Sequence, residues 1–159
     1  MEVGRVVLLS LEGIAVKTVL DVGSGAGLFA EAFLRTGLDV IGIDANPEMV
    51  TAASGFVPMG IFQRALAEEL PFPDGSVDLV FLGHVLHETN DPFKVLAEAR
   101  RVARQRVVIL EWPYIDETQG PPREERMESR TIMALTRKAG FKKAEKLPLR
   151  HMEFYRLSP

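Results

Sequence analysis

Three groups of residues in this 159-residue chain have the types and spacing to do chemistry. The first is the run Val19-Leu20-Asp21-Val22-Gly23-Ser24-Gly25-Ala26-Gly27, in which alternating glycines follow a short apolar strand and precede a helix opening on Leu28, Phe29, Ala32 and Phe33. Glycine allows a tight turn and close approach of a ligand to the backbone. The second is Asp44, delivered by the apolar run Val40-Ile41-Gly42-Ile43. At the carboxyl edge of a parallel sheet its carboxylate can accept from two adjacent ribose hydroxyls, and loop and acid together read as a nucleoside-cofactor site. The third is His84, His87 and Glu88, with Glu111 further on, any of which could take a proton from a reacting group.

The elements that must hold these groups alternate along the chain. Strands are predicted near 17–22, 39–44, 59–63, 77–83 and 106–112, and helices near 27–36, 47–54 and 91–103, after a short amphipathic helix within residues 1–16. Asn46-Pro47 and Asp91-Pro92 are paired cap and first-turn signals, because proline's missing amide lies among the donors that a helix start leaves unpaired. A loop rich in proline and charge spans Pro113 to Pro122. A helix is predicted from Arg123 to Ala139, ending at Gly140 as a left-handed cap. The tail, with Leu147, Leu149, Met152, Phe154 and Tyr155, reads as two strands turning near Arg150 and His151.

Glycine spacing narrows the cofactor. A dinucleotide site uses G-x-G-x-x-G to seat a pyrophosphate on helix amides, whereas here the glycines run G-x-G-x-G and position 28 is Leu. With Asp21 two residues ahead, the loop resembles the first motif of the class I S-adenosylmethionine-dependent methyltransferases, whose cofactor carries an ammonium and a sulfonium. The segment from Ala65 to Ala103, including "LPFPDGSVD" and "VLHE", is similar to the type 11 group and to its quinone-biosynthesis C-methyltransferases. The resemblance covers about residues 17 to 112.

That resemblance implies an α/β, three-layer Rossmann-like sandwich. Its mostly parallel seven-stranded sheet would have the order 3-2-1-4-5-7-6 and a C-terminal antiparallel hairpin, within a single S-adenosylmethionine-binding domain spanning 1–159. It places Asp21, Gly23, Ser24, Gly25 and Gly27 around the methionine part with the Leu82 and Gly83 carbonyls, Asp44 on the ribose, and Ala45, Leu66, Ala67 and Glu68 about the adenine. One departure stands out. Family members often have Asp where this chain has Leu66, which can only pack against the ring. His84 is the first candidate base and His87 the second, each with an alternative reading as a loop hydrogen-bonder, and Glu111 is the third. Trp112 and Tyr114 either wall an acceptor pocket or anchor the Pro113 loop.

Composition closes other routes. There is no cysteine, which excludes thiolate nucleophiles, disulfides and zinc-thiolate sites. A net charge of −3 and a pI near 5.7 give no footprint for a polyanion. The arginines at 100, 101, 104 and 106 end a helix, where cations offset its dipole. The Asn/Asp-Pro-Pro-Tyr box of nucleic-acid amino-methyltransferases is absent after the fourth strand, where the chain reads Leu82-Gly83-His84-Val85, and no dense carboxylate and histidine cluster suggests a metal.

The expectation is methyl transfer from S-adenosylmethionine to a small molecule, with nucleic acid not expected as a partner and no membrane span, in the cytoplasm, and from a thermophile on its scarcity of Asn and Gln. Two other readings remain open: a non-catalytic cofactor-binding module that completes or regulates a partner, and a protein-modifying enzyme. Association as a homodimer or with a partner is expected from the sixteen residues ahead of the first strand and from Phe154, Tyr155 and Leu157, which exceed what a small sheet is expected to cover.

Overall fold

A computed structural model describes residues 2–159. The elements are α1 (Val3–Leu11), β1 (Thr18–Val22), α2 (Leu28–Leu34), β2 (Asp39–Asp44), α3 (Pro47–Phe56), β3 (Ile61–Arg64), β4 (Val77–Gly83), α4 (Pro92–Val102) and β5 (Ala103–Glu111). There follow a 3₁₀ turn (Arg123–Glu125), α5 (Ser129–Lys138), β6 (Lys143–Pro148) and β7 (Glu153–Ser158). The seven strands form one sheet in the order β3-β2-β1-β4-β5-β7-β6, parallel up to β5 and antiparallel at β7. This is the architecture expected of the sequence, including the closing hairpin.

Alternation along the central strands builds two cores. Val19, Leu79, Phe81, Val108, Leu110 and Phe154 face α1 and α2, where they meet Val6, Val7, Phe29 and Phe33. Leu20, Val22, Val80, Leu82, Val107, Ile109 and Tyr155 face α4 and α5 and pack on Leu96, Ala99 and Ile132. A strand covered on both faces must be apolar on both, which explains why β4 is a nearly continuous hydrophobic run. Asn46 caps α3 by accepting from the Glu48 amide, and Asp91 caps α4 by accepting from the Lys94 amide.

At the amino edge of the sheet, Asp78 accepts from the Lys17 and Thr18 amides at 2.8 and 3.2 Å and from Arg104 at 3.0 Å. Arg106 donates to the Ser10 and Glu12 carbonyls, tying the end of α1 to the start of β5. These ties leave the opposite, carboxyl edge free to carry a ligand. No helix among the described residues is long and apolar enough to cross a membrane.

Two expectations fail. The helix from Arg123 to Ala139 is broken, because Arg126 takes an extended backbone and sends its guanidinium, fully buried, to the carbonyls of Pro113, Gln119 and Pro121 and to Glu117 at 2.6 Å. Four acceptors on a folded loop outweigh the continuation of a helix. Phe154, Tyr155 and Leu157 are at most 1% exposed, so they complete the cores and offer no surface to a partner.

Removing one side of a buried, hydrogen-bonded charge leaves the other uncompensated, at a cost of about 3 kcal/mol or more. Arg126→Met should therefore lower unfolding stability in urea by roughly that amount and open residues 113–126 to proteolysis. An unchanged midpoint and an intact loop would show that Arg126 is not its anchor.

Candidate active site

The loop between β1 and α2 is shaped by its glycines. Gly23 has φ +69° and passes so close to Val85 that an added Cβ would lie 2.5 Å from the valine Cγ2. Gly25 has φ +53° and faces open space. The Ser24 amide donates to the Ile43 carbonyl at 2.9 Å, and the Gly25 amide to Asp44 Oδ2 at 2.9 Å, while Asp44 Oδ1 accepts from Asn46 at 2.9 Å. Asp44 thus ties the glycine loop to the start of α3. Each of its oxygens keeps a lone pair for a further donor.

A cavity of about 170 Å³ opens beside this loop. Gly23, Asp44, Ala45, Ala67 and Glu68 line it, joined by Ile43, Ala65, Val85 and Thr89, which the sequence reading did not single out. The Thr89 hydroxyl donates to Glu68 and orients it. Leu66 is 53% exposed and does not line the cavity, whose lining carboxylates are Asp44, Glu68 and Glu88. Gly25 and Gly27 shape the loop without lining the cavity, Ser24 Oγ turns toward Gly42, Leu82 is fully buried, and Gly83 ends β4 behind the lining.

Asp21 lies beneath the loop, 2% exposed, with Oδ2 buried and unpartnered. Burial raises its pKa to about 7, against the pull of a hydrogen bond from the Ala30 amide and with some help from the charge of Asp44. A buried acid whose second oxygen has no donor fits a ligand that carries a cation.

Beyond β4 the chain turns sharply. His84 is the one non-glycine residue at positive φ among those described, at 58°, and its amide donates to the Leu110 carbonyl at 2.8 Å. Backbone strain of this kind persists where the surroundings over-determine it, and it is common at functional sites. Both ring nitrogens are buried without a partner, and the ring lies 4.9 Å from that of Trp112. Burial holds the His84 pKa below its ordinary value despite the charge of Glu111, so the imidazole is neutral near pH 7.

His87 differs. Its Nδ1 lies 2.8 Å from Glu111 Oε2, and its Nε2 lies 3.8 Å from Glu88. Burial disfavours the imidazolium, but the hydrogen bond and charge of Glu111, with smaller contributions from Glu88 and Glu125, hold the His87 pKa above its ordinary value. Glu111 itself is 1% exposed and also accepts from the Leu86, His87 and Trp112 amides. It stands under the site as an anchor and reaches neither cavity.

A second, wider cleft of about 850 Å³ lies beside the first and is lined by His84, His87, Glu88, Trp112, Pro121, Glu124 and Glu125. The two spaces share His84 and Glu88. Trp112 lines the cleft, its ring tilted against that of His84 and lying under the Arg126 guanidinium at 5.4 Å. Tyr114 carries Arg123 at 4.8 Å over its ring and anchors the loop. Pro121, Glu124 and Glu125 had no sequence signal, since only the break at Arg126 brings them to the rim of the cleft. Among the described residues, no group of three or more metal-ligating side chains occurs.

Residues 20–110 match the methyltransferase domain family model. An uncharacterized methyltransferase of Mycobacterium sp. (strain KMS) is 40% identical over 88 residues, which are 55% of this chain and 35% of that one. The chain spans between about a third and just under half the length of the curated relatives it matches. A SAM dependent methyltransferase from Aquifex aeolicus superposes with a TM-score of 0.79 at 23% identity, covering 99% of this chain and 98% of that one. A methyltransferase in complex with the Haloferax volcanii Trm112 methyltransferase activator superposes at 0.76 with 19% identity, covering 98% and 87%. With the glycine loop, Asp44 and the strand order already in place, the match over more than half its length means that the chain belongs to the class I S-adenosylmethionine-dependent methyltransferases of the type 11 group.

Proposed function

We propose that the chain transfers the methyl group of S-adenosylmethionine to a small-molecule acceptor. The observation that carries this reading is the junction at His84, where a cavity built on the glycine loop and Asp44 meets a wider cleft. When bound, S-adenosylmethionine supplies a sulfonium methyl group open to in-line displacement, with donor and acceptor held about 3 Å apart. Asp44 would hold the ribose, Ala67 the adenine face and Glu68 its amino group, while Asp21 would balance the positive charge of the methionine end. His84, neutral and unpartnered, stands where the methyl group would emerge and is the first candidate for the base. His87 is the second. Its raised pKa and the grip of Glu111 suit it better to orienting the acceptor, with Glu111 as its positioning residue.

A second reading, that a partner completes or regulates the chain or that a protein is the substrate, is supported at another place. Phe56, Met59 and Ile61 are 58, 85 and 64% exposed around the edge strand β3, and a chain of similar fold was solved with an activator bound. Light scattering that shows a monomer with full activity across micromolar concentrations would exclude an obligatory homodimer or partner.

Asp44→Ala removes up to two charge-assisted hydrogen bonds to the ribose, each on the order of 1.5 to 3 kcal/mol, and should weaken S-adenosylhomocysteine binding by roughly ten-fold or more. Calorimetry on a variant whose melting temperature shows it folded makes the comparison, and unchanged affinity would remove Asp44 from the site. His84→Ala should lower kcat by roughly 10²-fold if a base is needed and abolish an activity limb below the ordinary histidine pKa, leaving cofactor affinity nearly unchanged. Wild-type kcat and pH profile in that variant would leave a positioning-only mechanism.

Asp21 gives a prediction with a definite sign. Its folded pKa, about 7, lies above its unfolded value, so its contribution to folding is most favourable at low pH and is lost as pH rises from about 4 through 7. The melting temperature of the free protein, relative to Asp21→Asn, should fall across that window. Saturating S-adenosylhomocysteine, which carries the ammonium, should flatten the difference. A pH-independent difference between the two proteins would show that Asp21 is not titrating there.

A further inference from the structure

The connection from β3 to β4, residues 65–76, crosses from one end of the sheet to the other, past β2 and β1, without a helix. A helix satisfies its own main chain, whereas an irregular crossover must find partners elsewhere. It finds them on α4. Arg101 donates from Nε to Glu98 Oε1 at 2.8 Å, and from Nη1 to the Phe72 carbonyl and Asp74 Oδ1, both at 2.8 Å. Its Nη2 donates to the Leu70 carbonyl at 3.0 Å and to Glu98 Oε2 at 2.9 Å. Glu98 Oε2 accepts in turn from the Leu70 amide at 2.8 Å, and the Gly75 amide donates to the Arg101 carbonyl at 2.9 Å. All five N–H groups of the guanidinium are used. A cation that only offset the dipole of α4 would need none of these bonds.

The other end of this connection stands at the smaller cavity, which Ala65, Ala67 and Glu68 line. Leu66 and Glu69 pair through their main chains, so Ala67 and Glu68 form the tip of a tight turn. The Thr89 hydroxyl accepts from the Asp91 amide at 3.2 Å and donates to Glu68. Thr89 and Asp91 lie just before α4, and Glu98 and Arg101 lie on one face of its last turns, so one helix holds the connection at both ends. On the reading that this cavity receives S-adenosylmethionine, we propose that Arg101 is a positioning residue for the nucleoside end of the cofactor. It does not line the cavity and acts through the main chain. Only Glu69 separates Glu68 from Leu70, whose amide and carbonyl are both held by the clamp. A connection released from Arg101 spends part of its time out of place, and affinity falls by the fraction that remains in place. Lysine would keep the charge at the end of α4, but one ammonium cannot span Leu70, Phe72, Asp74 and both oxygens of Glu98.

Calorimetry with S-adenosylhomocysteine and with adenosine, alongside amide hydrogen exchange, tests this on Arg101→Lys. The variant should bind both ligands about ten-fold more weakly, as a connection in place one-tenth of the time implies. Exchange across residues 66–75 should quicken in the free variant and slow again under saturating S-adenosylhomocysteine, with β1 and β4 exchanging as in the wild type. Asp74→Ala removes one exposed contact and keeps the other four, so it stays informative should Arg101→Lys fail to fold. It should quicken the same amides and weaken both ligands by about two-fold. Faster exchange with wild-type affinity would overturn the proposal, leaving the clamp a structural staple alone. So would a lysine variant matching the wild type in both readouts, faster exchange throughout the sheet, or a loss seen with S-adenosylhomocysteine and not with adenosine. Absence of S-adenosylhomocysteine binding to the wild-type chain would instead sink the methyl-transfer reading, and the exchange of residues 66–75 would still report whether Arg101 holds them.

Discussion

The buried carboxylate of Glu111 is the interaction on which the site depends. It ends β5 in the interior and accepts four donors, the amides of Leu86, His87 and Trp112 and the ring of His87. A buried charge is tolerated only when its lone pairs are filled, and these partners fill them. In doing so they bind the turn after β4 to the end of β5. His84 is held in its left-handed backbone by that same turn, and Trp112 is held against the His84 ring. One carboxylate thereby fixes two histidines and an aromatic ring that no single element presents.

Charge in the site is arranged in layers. Below the glycine loop, Asp21 is buried without enough donors and its pKa rises; at the rim, Asp44 is satisfied by the Gly25 and Asn46 amides. On the proposed reading the two acids would serve a single ligand differently, one as a countercharge and one as a rigid acceptor. The histidines divide in the same way. His84 is kept neutral by burial without a partner, and His87 is drawn toward the charged form by Glu111. Groups of like chemistry whose surroundings push their protonation apart are the usual means of assigning acid, base and binding roles at one pH.

Much of this was readable in the chain because local chemistry and fold agree where the sheet is built. The glycine loop after an apolar strand, the acid ending the next strand, and the cap-proline pairs at Asn46 and Asp91 act through neighbours in sequence, and each took its expected place. What could not be read depends on distant partners. Arg126 breaks a helix because carbonyls up to 13 residues away accept from it, and periodicity carries no signal for that. Phe154, Tyr155 and Leu157 looked surplus in isolation, and became core once β7 was inserted between β5 and β6. Leu66 stood at the position of a familiar acid, yet its main chain bridges to Glu69 and turns it outward, leaving Glu68 to line the cavity.

The placement of the cleft proposed for the acceptor explains why family membership stops short of naming a substrate. The match to the methyltransferase domain ends at residue 110, whereas Trp112, Pro121, Glu124 and Glu125 lie beyond it, on the loop that Arg126 folds back over the sheet edge. The segment that binds the cofactor is tied to strand ends and must keep the geometry of the sheet. The loop satisfies Arg126 and packs Trp112 against His84, and its remaining side chains are less constrained by the sheet. On the proposed reading, specificity is to be sought in residues 112–126 outside the Arg126–Glu117 anchor.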